Sequence, residues 1–261
     1  RDLRMSRGLG DVYKRQLLSL VYTTAFTDVK PYATVTGAQN SVTDSHSEGQ
    51  LHNAKLDYQT PFGLKAGAEF TYYHAPGSQL LYSTLGEETL NFLSKDNQRI
   101  NQWRFYAGQE HTLGADWGLN YGVAYTTALD NSYQMYFDPE TETLLPDNNM
   151  QSRRREQTLN FYAGLSKSFG EKLSADVSLA AEQYHTDMWN EWSLYPVANL
   201  TYLPAPGHIL QFSLSSDKEY PEYWSMQNST SYMGAYSEIQ GNPFLKPVSY
   251  THLRAHETCA D

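Results

Sequence analysis

The sequence is poor in cysteine and has no long apolar run. Its single cysteine, Cys259, can form neither an intrachain disulfide nor a cysteine-based zinc site. No run approaches about 18 consecutive apolar residues, which excludes a transmembrane helix but not a membrane location. No apolar segment follows the arginines near the start, so we expect any export signal to lie upstream.

Positive charge is also scarce. The chain has 19 Lys and Arg against 29 Asp and Glu, a formal net charge of -10, and we therefore expect no nucleic-acid partner. Aromatic residues are instead abundant, at 14% with 21 tyrosines. Such residues suit the aromatic girdles of a membrane barrel, although they are also common in soluble all-β proteins.

The connections between strand-like runs alternate between short and long. Tight turns at 60–63, 114–116, 169–171 and 204–207 close four hairpins, and long polar stretches such as 74–101 separate them. Outer-membrane barrels have this asymmetry of short periplasmic turns and long external loops. The predicted strands are 51–59, 64–73, 103–113, 117–129, 157–168, 172–185, 192–203 and 208–215, preceded by 17–26 and, after a turn at 28–31, by 32–37.

Side chains alternate along these runs between an apolar and a polar set. In one of them Leu119, Tyr121 and Val123 alternate with Asn120 and Gly122, and successive side chains of a strand point to opposite faces. A soluble β-sandwich shows the same alternation with its apolar side inward. Alternation therefore does not distinguish a barrel from a sandwich, and the connection lengths decide between the two folds. They predict an all-β fold, an antiparallel transmembrane β-barrel fragment of about ten strands. So few strands cannot close around a large interior, which predicts an open curved sheet with two unpaired edges.

The two ends do not continue this pattern. Residues 1–16 and 248–261 resemble translated sequencing-adapter read-through, and ordinary disordered tails are the alternative. We therefore expect both ends to be artefactual or disordered. The partial barrel is predicted to span 17–247.

The most specific stretch is EYPEYWSMQNSTSYMGAYSEIQGNPFLKP at 219–247. It resembles the C-terminal barrel region of TonB-dependent receptors of the Bacteroidetes outer-membrane type. The matching residues are Pro221, Tyr223, Trp224, Gly241, Asn242, Pro243, Leu245, Lys246 and Pro247. Glu219 and Tyr220 replace an arginine that is common before the proline, and the family's final glutamate is absent. Gly and Pro suit a turn before a new strand, so we expect the motif to be structural.

The resemblance implies uptake of a ligand across the outer membrane. Its implied partners are outer-membrane lipids, a TonB-type energy-transducing protein acting through an N-terminal plug, and a surface lipoprotein. Neither the plug nor the contact box for the transducer is recognisable in this sequence. The alternatives are a non-transporting barrel (an adhesin or scaffold), a soluble carbohydrate-binding β-sandwich and, last, an outer-membrane enzyme.

No constellation of residues predicts a catalytic, cofactor or metal site. Glu110 and His111 are adjacent in a strand and point to opposite faces. His185 with Asp187, and the acidic stretch 138–147, lack the ligand number and spacing of a metal site. Arg153–Arg155 could contact the phosphates of lipopolysaccharide, but such a cluster more often lies at the water-exposed rim of a barrel.

Overall fold

Most of the chain forms one antiparallel sheet. The computed structural model describes residues 5–10, 17–114, 116–205, 207–234 and 237–259. In those ranges the strands are β1 Met5–Gly10, β2 Leu17–Val29, β3 Tyr32–Val35, β4 Gln39–Gln59, β5 Lys65–Leu85, β6 Glu88–Leu113, β7 Trp117–Phe137, β8 Met150–Phe169, β9 Leu173–Thr186, β10 Asn190–Tyr202, β11 His208–Glu219, β12 Thr230–Gly234, β13 Ser237–Gln240 and β14 Val248–Cys259.

Strand order confirms the predicted all-β architecture. The main sheet runs β1-β2-β4-β5-β6-β7-β8-β9-β10-β11-β14, with β3 beside β4, while β12 and β13 form a separate hairpin. Within the described residues β1 and β14 do not pair with each other, so the sheet is open, as expected. No helix in this part of the chain is long and apolar enough to cross a membrane.

One end of the sheet has the predicted tight turns, but the prediction of a long loop at 74–101 is wrong. The stretch 74–101, expected to be a loop, belongs to β5 and β6, which meet at the two-residue turn of Gly86 and Glu87. β6 has 26 residues, whereas crossing the hydrocarbon takes about 9–11. Backbone pairing does not require apolar side chains, so a polar hairpin can extend beyond the membrane. The asymmetry therefore lies mainly in the strand overhang rather than in the loops.

The predicted hairpin between residues 17–26 and 32–37 is also wrong. β2 and β3 both pair antiparallel with β4, so they run in the same direction and form one interrupted strand. The interruption falls at Pro31, which has no N–H to donate to the ladder. Its carbonyl still accepts a hydrogen bond from Ser45 N at 3.0 Å, and this contact keeps β3 in line.

The register places the apolar side chains of successive strands in continuous rows. One such row runs Tyr58, Ala66, Ala107, Val123, Phe161, Ala181 and Leu194. This apolar face is exposed: the exposed fraction is 47% for Phe105, 57% for Val177 and 64% for Leu194. No second sheet covers it within the described ranges. The soluble β-sandwich alternative is therefore wrong, because a sandwich buries its apolar stripes.

The C-terminal end is placed as a strand. β14 pairs with β11 from Val248 to Cys259, so most of the segment 248–261 forms a strand of the main sheet. That pairing does not bear on the origin of its sequence, and the artefactual origin of 1–16 and 248–261 stays a prediction. Residues 1–4, 11–16 and 260–261 lie outside the described residues.

Candidate functional site

The polar face is covered by the connection between β11 and β14. This inner segment, residues 220–247, contains a 3-10 turn at Tyr223–Met226 and the β12–β13 hairpin. Gln227 Nε2 donates to Ser132 Oγ at 3.0 Å, and the Tyr136 hydroxyl donates to the carbonyl oxygen of Thr230. Both sheet residues belong to β7, so these contacts fix the inner segment to the polar face.

An apolar core lies where the hairpin meets the strand overhangs. Leu81, Phe92 and Tyr136 are almost fully buried, with exposed fractions of 0%, 2% and 3%. Tyr232 of β12 packs against them, with its ring centroid 5.1 Å from that of Phe92 and 5.9 Å from that of Tyr136. Fully burying one large apolar side chain stabilises a fold by about 1.5–3 kcal/mol. Tyr232 is half-buried and contributes part of this, so the core anchors the hairpin.

A cavity of about 710 Å³ lies between the inner segment and the sheet. Its lining is rich in tyrosine and contains charges of both signs. The chief members are Tyr106, Tyr162, Tyr184, Tyr220, Tyr223, Arg104, Glu156 and Glu182. Tyrosine offers a ring face and a hydroxyl together, so this lining can both stack on and hydrogen-bond to a polar organic molecule.

The two carboxylates of the cavity are held by tyrosines and cations. Glu156 Oε1 accepts from Arg154 Nε at 2.8 Å and from the Tyr184 hydroxyl at 2.9 Å. The Tyr223 hydroxyl donates to Oε2 at 3.0 Å. Burial raises the pKa of Tyr223, so its hydroxyl stays protonated and donates at neutral pH. Glu156 therefore links the sheet to the inner segment.

Glu182 makes a similar link one strand further along. It accepts from Lys218 Nζ at 3.3 Å and from the Tyr220 hydroxyl. The side chains of Lys218 and Glu182 are only 6% and 12% exposed. Because partly buried ion pairs are screened little by salt, the ion pair holds the end of β11, and the hydrogen bond from Tyr220 fixes the start of the inner segment.

Asp130 is the most deeply buried carboxylate of the polar face. It is 2% exposed, accepts from Ser132 Oγ at 3.1 Å through Oδ2, and has no partner for Oδ1. It lies in the overhang, beyond the apolar band. Loss of hydration on burial raises its pKa, and the hydrogen bond from Ser132 only partly opposes this effect. The charge of Asp130 is therefore costly while the inner segment covers it.

The first half of the predicted motif lies at the start of the inner segment. Pro221 and Tyr223 line the cavity. The Trp224 indole N–H donates to the Glu222 carboxylate, and Trp224 itself is 54% exposed. Two of these three motif residues therefore contribute to the candidate site.

Gly241 and Asn242 clamp the base of the inner segment. Gly241 N donates to Ser229 O at 3.0 Å, and Asn242 N donates to Ser225 O at 2.7 Å. A Cβ on Gly241 would collide with the backbone carbonyl of Gln227. The clamp thus requires glycine for a close approach of two backbones, and Pro243 follows it in a turn.

The last motif residues lead into β14. Leu245 N donates to Asn242 O at 3.2 Å, and Leu245 and Pro247 are half-buried. Lys246 Nζ lies 2.8 Å from Glu191 Oε1 and 4.0 Å from the centroid of the Trp189 ring. These are all contacts within the chain, and the structural role of the motif stays a prediction.

The constellations set aside on sequence grounds form no cluster of ligands. Glu110 contacts Lys65 at 3.1 Å while His111 contacts Tyr121 at 3.1 Å. Asp138 Oδ1 accepts from the backbone N–H groups of its own turn, at Glu140 and Thr141. Over the described residues no three His, Cys, Asp or Glu side chains come together as a metal site would need.

A family model described as "Outer membrane protein beta-barrel family" matches residues 63–254. The chain belongs to this family. Its place is the cell outer membrane, and the exposed apolar face is the surface that meets lipid. No curated protein matches the chain.

Several solved structures resemble the barrel protein distantly. The receptor HasR of Serratia marcescens, in complex with its hemophore HasA and heme, is 9% identical with a TM-score of 0.45, over 98% of this chain and 50% of that one. The copper transporter OprC is 11% identical with a TM-score of 0.43, over 86% and 45%. The β domain of the Bordetella autotransporter BrkA is 9% identical with a TM-score of 0.35, over 81% and 88%. The chain spans about half the length of the two receptor and transporter chains, and likeness at this level carries no functional argument.

Sequence reasoning did not single out the residues that fix the inner segment. Glu156, Glu182 and Asp130 all lie on polar-face positions of their strands. Their alternation with apolar neighbours predicts the face of the sheet on which these carboxylates lie, but it does not predict their hydrogen-bond partners. The partners lie far along the chain in the inner segment, and no local pattern indicates where a long connection folds back.

Proposed function

We propose that the chain is the barrel part of a TonB-dependent receptor, which takes up a ligand across the outer membrane. The observation that carries this proposal is the inner segment, which lies on the polar face and borders a tyrosine-lined cavity of about 710 Å³. A barrel that takes up a ligand needs such a binding surface in its interior. The motif resemblance at 219–247 supports the same function.

The cavity favours a polar organic ligand such as a sugar or peptide. Tyr106, Tyr162 and Tyr184 offer ring faces and hydroxyls, and Arg104 adds a permanent positive charge. Pockets of this kind bind by stacking together with a few oriented polar groups. A metal chelate is the other class that the resemblance implies.

The partners follow from the resemblance. We propose a plug domain encoded upstream, a TonB-type energy-transducing protein that acts on it, outer-membrane lipids around the barrel and a surface lipoprotein that delivers the ligand. We propose no cofactor, no nucleic-acid partner and no enzymatic activity. In support of the last point, Glu156 and Glu182, which a hydrolase could use as acid and base, are already bonded to tyrosines and cations.

Deleting the gene and measuring growth on a panel of oligosaccharides and peptides tests the proposal. Growth on one nutrient should fail in the deletion strain and recover with the gene. A strain that lacks the energy-transducing protein should still bind that nutrient at the surface but not accumulate it. Unchanged growth and accumulation across the panel would contradict uptake.

A non-transporting barrel, an adhesin or scaffold, is the second candidate. The long overhang of β5 and β6 favours it, because strands of 21 and 26 residues extend far beyond the membrane. An adhesin would show normal uptake but reduced surface attachment when the overhang 76–97 is shortened. The same deletion in a receptor would affect ligand binding instead.

A further inference from the structure

Charge is segregated between the two faces of β5–β10. The continuous register and the two-residue alternation of strands show which side chains lie on each face. Every acidic residue of these six strands lies on the polar face. They are Glu69, Glu88, Asp96, Glu110, Asp130, Glu156, Asp176, Glu182 and Glu191. The charged residues on the apolar face of the same strands are all cations, namely Lys95, Arg99, Arg153, Arg155 and Lys167. In a chain of net charge -10, composition alone does not explain this separation.

Three of these cations are clustered. Arg99 pairs with Asn131, and Asn131 pairs with Arg153. Neighbouring strands lie about 4.8 Å apart, which places Arg99 and Arg153 about 10 Å apart, with Arg155 about 7 Å further along β8. Long guanidinium side chains can span these separations, so all three can reach a single ligand.

The cluster lies just outside the lipid-facing band. Leu159 is the last apolar side chain of β8 on that face, and Arg155 lies four residues beyond it. Four residues span about 13 Å along a strand, and a tilt of about 45° reduces this to about 9 Å along the membrane normal for Arg155. Arg153 and Arg99, two residues further out, lie about 14 Å from Leu159 along the normal. The headgroup layer is about 5–8 Å thick on each side. Because long arginine side chains can extend back toward the apolar surface, the guanidinium groups can lie at the depth of lipid headgroups.

The three arginines have no acidic partner of their own. Each is exposed, and in the parts of the chain that the structure describes no carboxylate lies within ion-pair distance of any of them. By contrast, Arg154 of the polar face lies 2.8 Å from Glu156. Three exposed, unpaired guanidiniums next to an apolar surface form a site for an external anion attached to an apolar tail.

We propose that Arg99, Arg153 and Arg155 bind the phosphate groups of a lipid of the outer leaflet. The planar guanidinium forks match phosphate oxygens in bidentate pairs, and the adjoining apolar band accommodates the acyl chains. The overhang end of the barrel faces outward, because periplasmic turns are the short ones. This inference rests on the outer-membrane location and is independent of the proposed uptake.

The test uses the complete protein in lipid nanodiscs and a fluorescent phosphorylated glycolipid as the probe. A basic residue near an anionic membrane surface contributes about 1 kcal/mol, so the R99Q/R153Q/R155Q variant should bind the probe about 100-fold more weakly. The matched control K30Q/K65Q/K172Q also removes three positive charges, and it should bind like the unmodified protein. Heat-dependent gel mobility checks that each variant is folded.

Two further arms identify the ligand. The dephosphorylated glycolipid should bind weakly and equally to the unmodified protein and to the triple variant. Free inorganic phosphate at millimolar concentration should not displace the lipid, because it lacks the apolar tail. The proposal would be overturned if the triple variant bound the probe as the unmodified protein does, or if the control variant lost as much binding as the triple variant. It would also be overturned if the triple substitution weakened binding of the dephosphorylated lipid as much as binding of the phosphorylated probe. Displacement by free phosphate would overturn the assignment to a lipid.

Discussion

The hydroxyl of Tyr223 donates to Glu156 Oε2 at 3.0 Å, although the two residues are 67 positions apart in the chain. The bond joins the inner segment to β8 of the sheet. Glu156 also binds Arg154 and Tyr184, so one carboxylate connects the wall of the barrel to the segment that covers it. The position of that segment therefore depends on a few polar contacts that can be removed singly.

Tyr223→Phe removes one of these contacts. A hydrogen bond to a charged group contributes about 1.5–3 kcal/mol, and Glu156 keeps two other donors, so we expect the opening free energy of the inner segment to fall by about 1–2 kcal/mol. Hydrogen exchange of residues 220–232 measures this change. Tyr133→Phe is the control, since Tyr133 is 39% exposed. Equal exchange in the two variants would contradict the assigned role.

Gly241→Ala should displace the base of the inner segment. The added Cβ would meet the backbone carbonyl of Gln227, which cannot rotate away as a side chain can. Overpacking against backbone costs about 1–3 kcal/mol. We expect faster proteolysis within 220–247 and an unchanged barrel. Gly114→Ala has open space around the new Cβ and should leave the cleavage rate as it is.

Packing of the inner segment should depend on pH through Asp130. Burial raises the pKa of Asp130 above its ordinary value, so the covered form binds the proton more tightly than the open form. The resulting stability is present below the ordinary carboxyl pKa and is lost as pH rises through the raised pKa. Hydrogen exchange of 225–231 should therefore slow as pH falls through this window, after correction for intrinsic exchange rates.

Asp130→Asn should remove this pH dependence, because an amide does not titrate. The control is Asp138→Asn, in a turn where backbone N–H groups lower the carboxyl pKa. That variant should retain the profile of the unmodified protein. A pH dependence that survives in Asp130→Asn would place its origin elsewhere.

Tyr232→Ala should release the β12–β13 hairpin. Tyr232 packs against Phe92 and Tyr136, and truncating a fully buried aromatic costs about 3–5 kcal/mol. Because Tyr232 is half-buried, about 2 kcal/mol is expected. Exchange of hairpin amides measures it. Ile239→Ala, on the same hairpin and 40% exposed, should change exchange far less.

The sequence was sufficient to predict the faces of the strands and the four tight turns at one end. Both follow from local chemistry, namely alternation in strands such as β7 and turn residues such as Gly63 and Gly170, whose φ angles are 90° and 65°. The overhangs were missed because their few apolar side chains, such as Leu81 and Phe92, pack against the distant β12–β13 hairpin and do not alternate along the strand. Without an apolar stripe, the stretch 74–101 has the composition of a loop.

The site was less predictable than the fold. Residues 219–247 were recognised as a motif, yet their position on the polar face depends on contacts with Ser132, Tyr136 and Glu156. The direction of β3 was wrong because Pro31 suggests a turn, whereas here it only interrupts a continuing strand. Contacts between residues far apart in the chain determine both the position of residues 219–247 and the direction of β3. Local sequence patterns do not predict such contacts.

The central claim is that the apolar face meets hydrocarbon while the polar face meets water. Single cysteines at positions 121 and 123–126 of β7, in a background without Cys259, test it most directly. We predict that positions 121, 123 and 125 react with a lipid-phase probe, and that 124 and 126 react with a water-soluble probe. Protection of the odd positions from the lipid-phase probe, or their reaction with the aqueous one, would contradict the account.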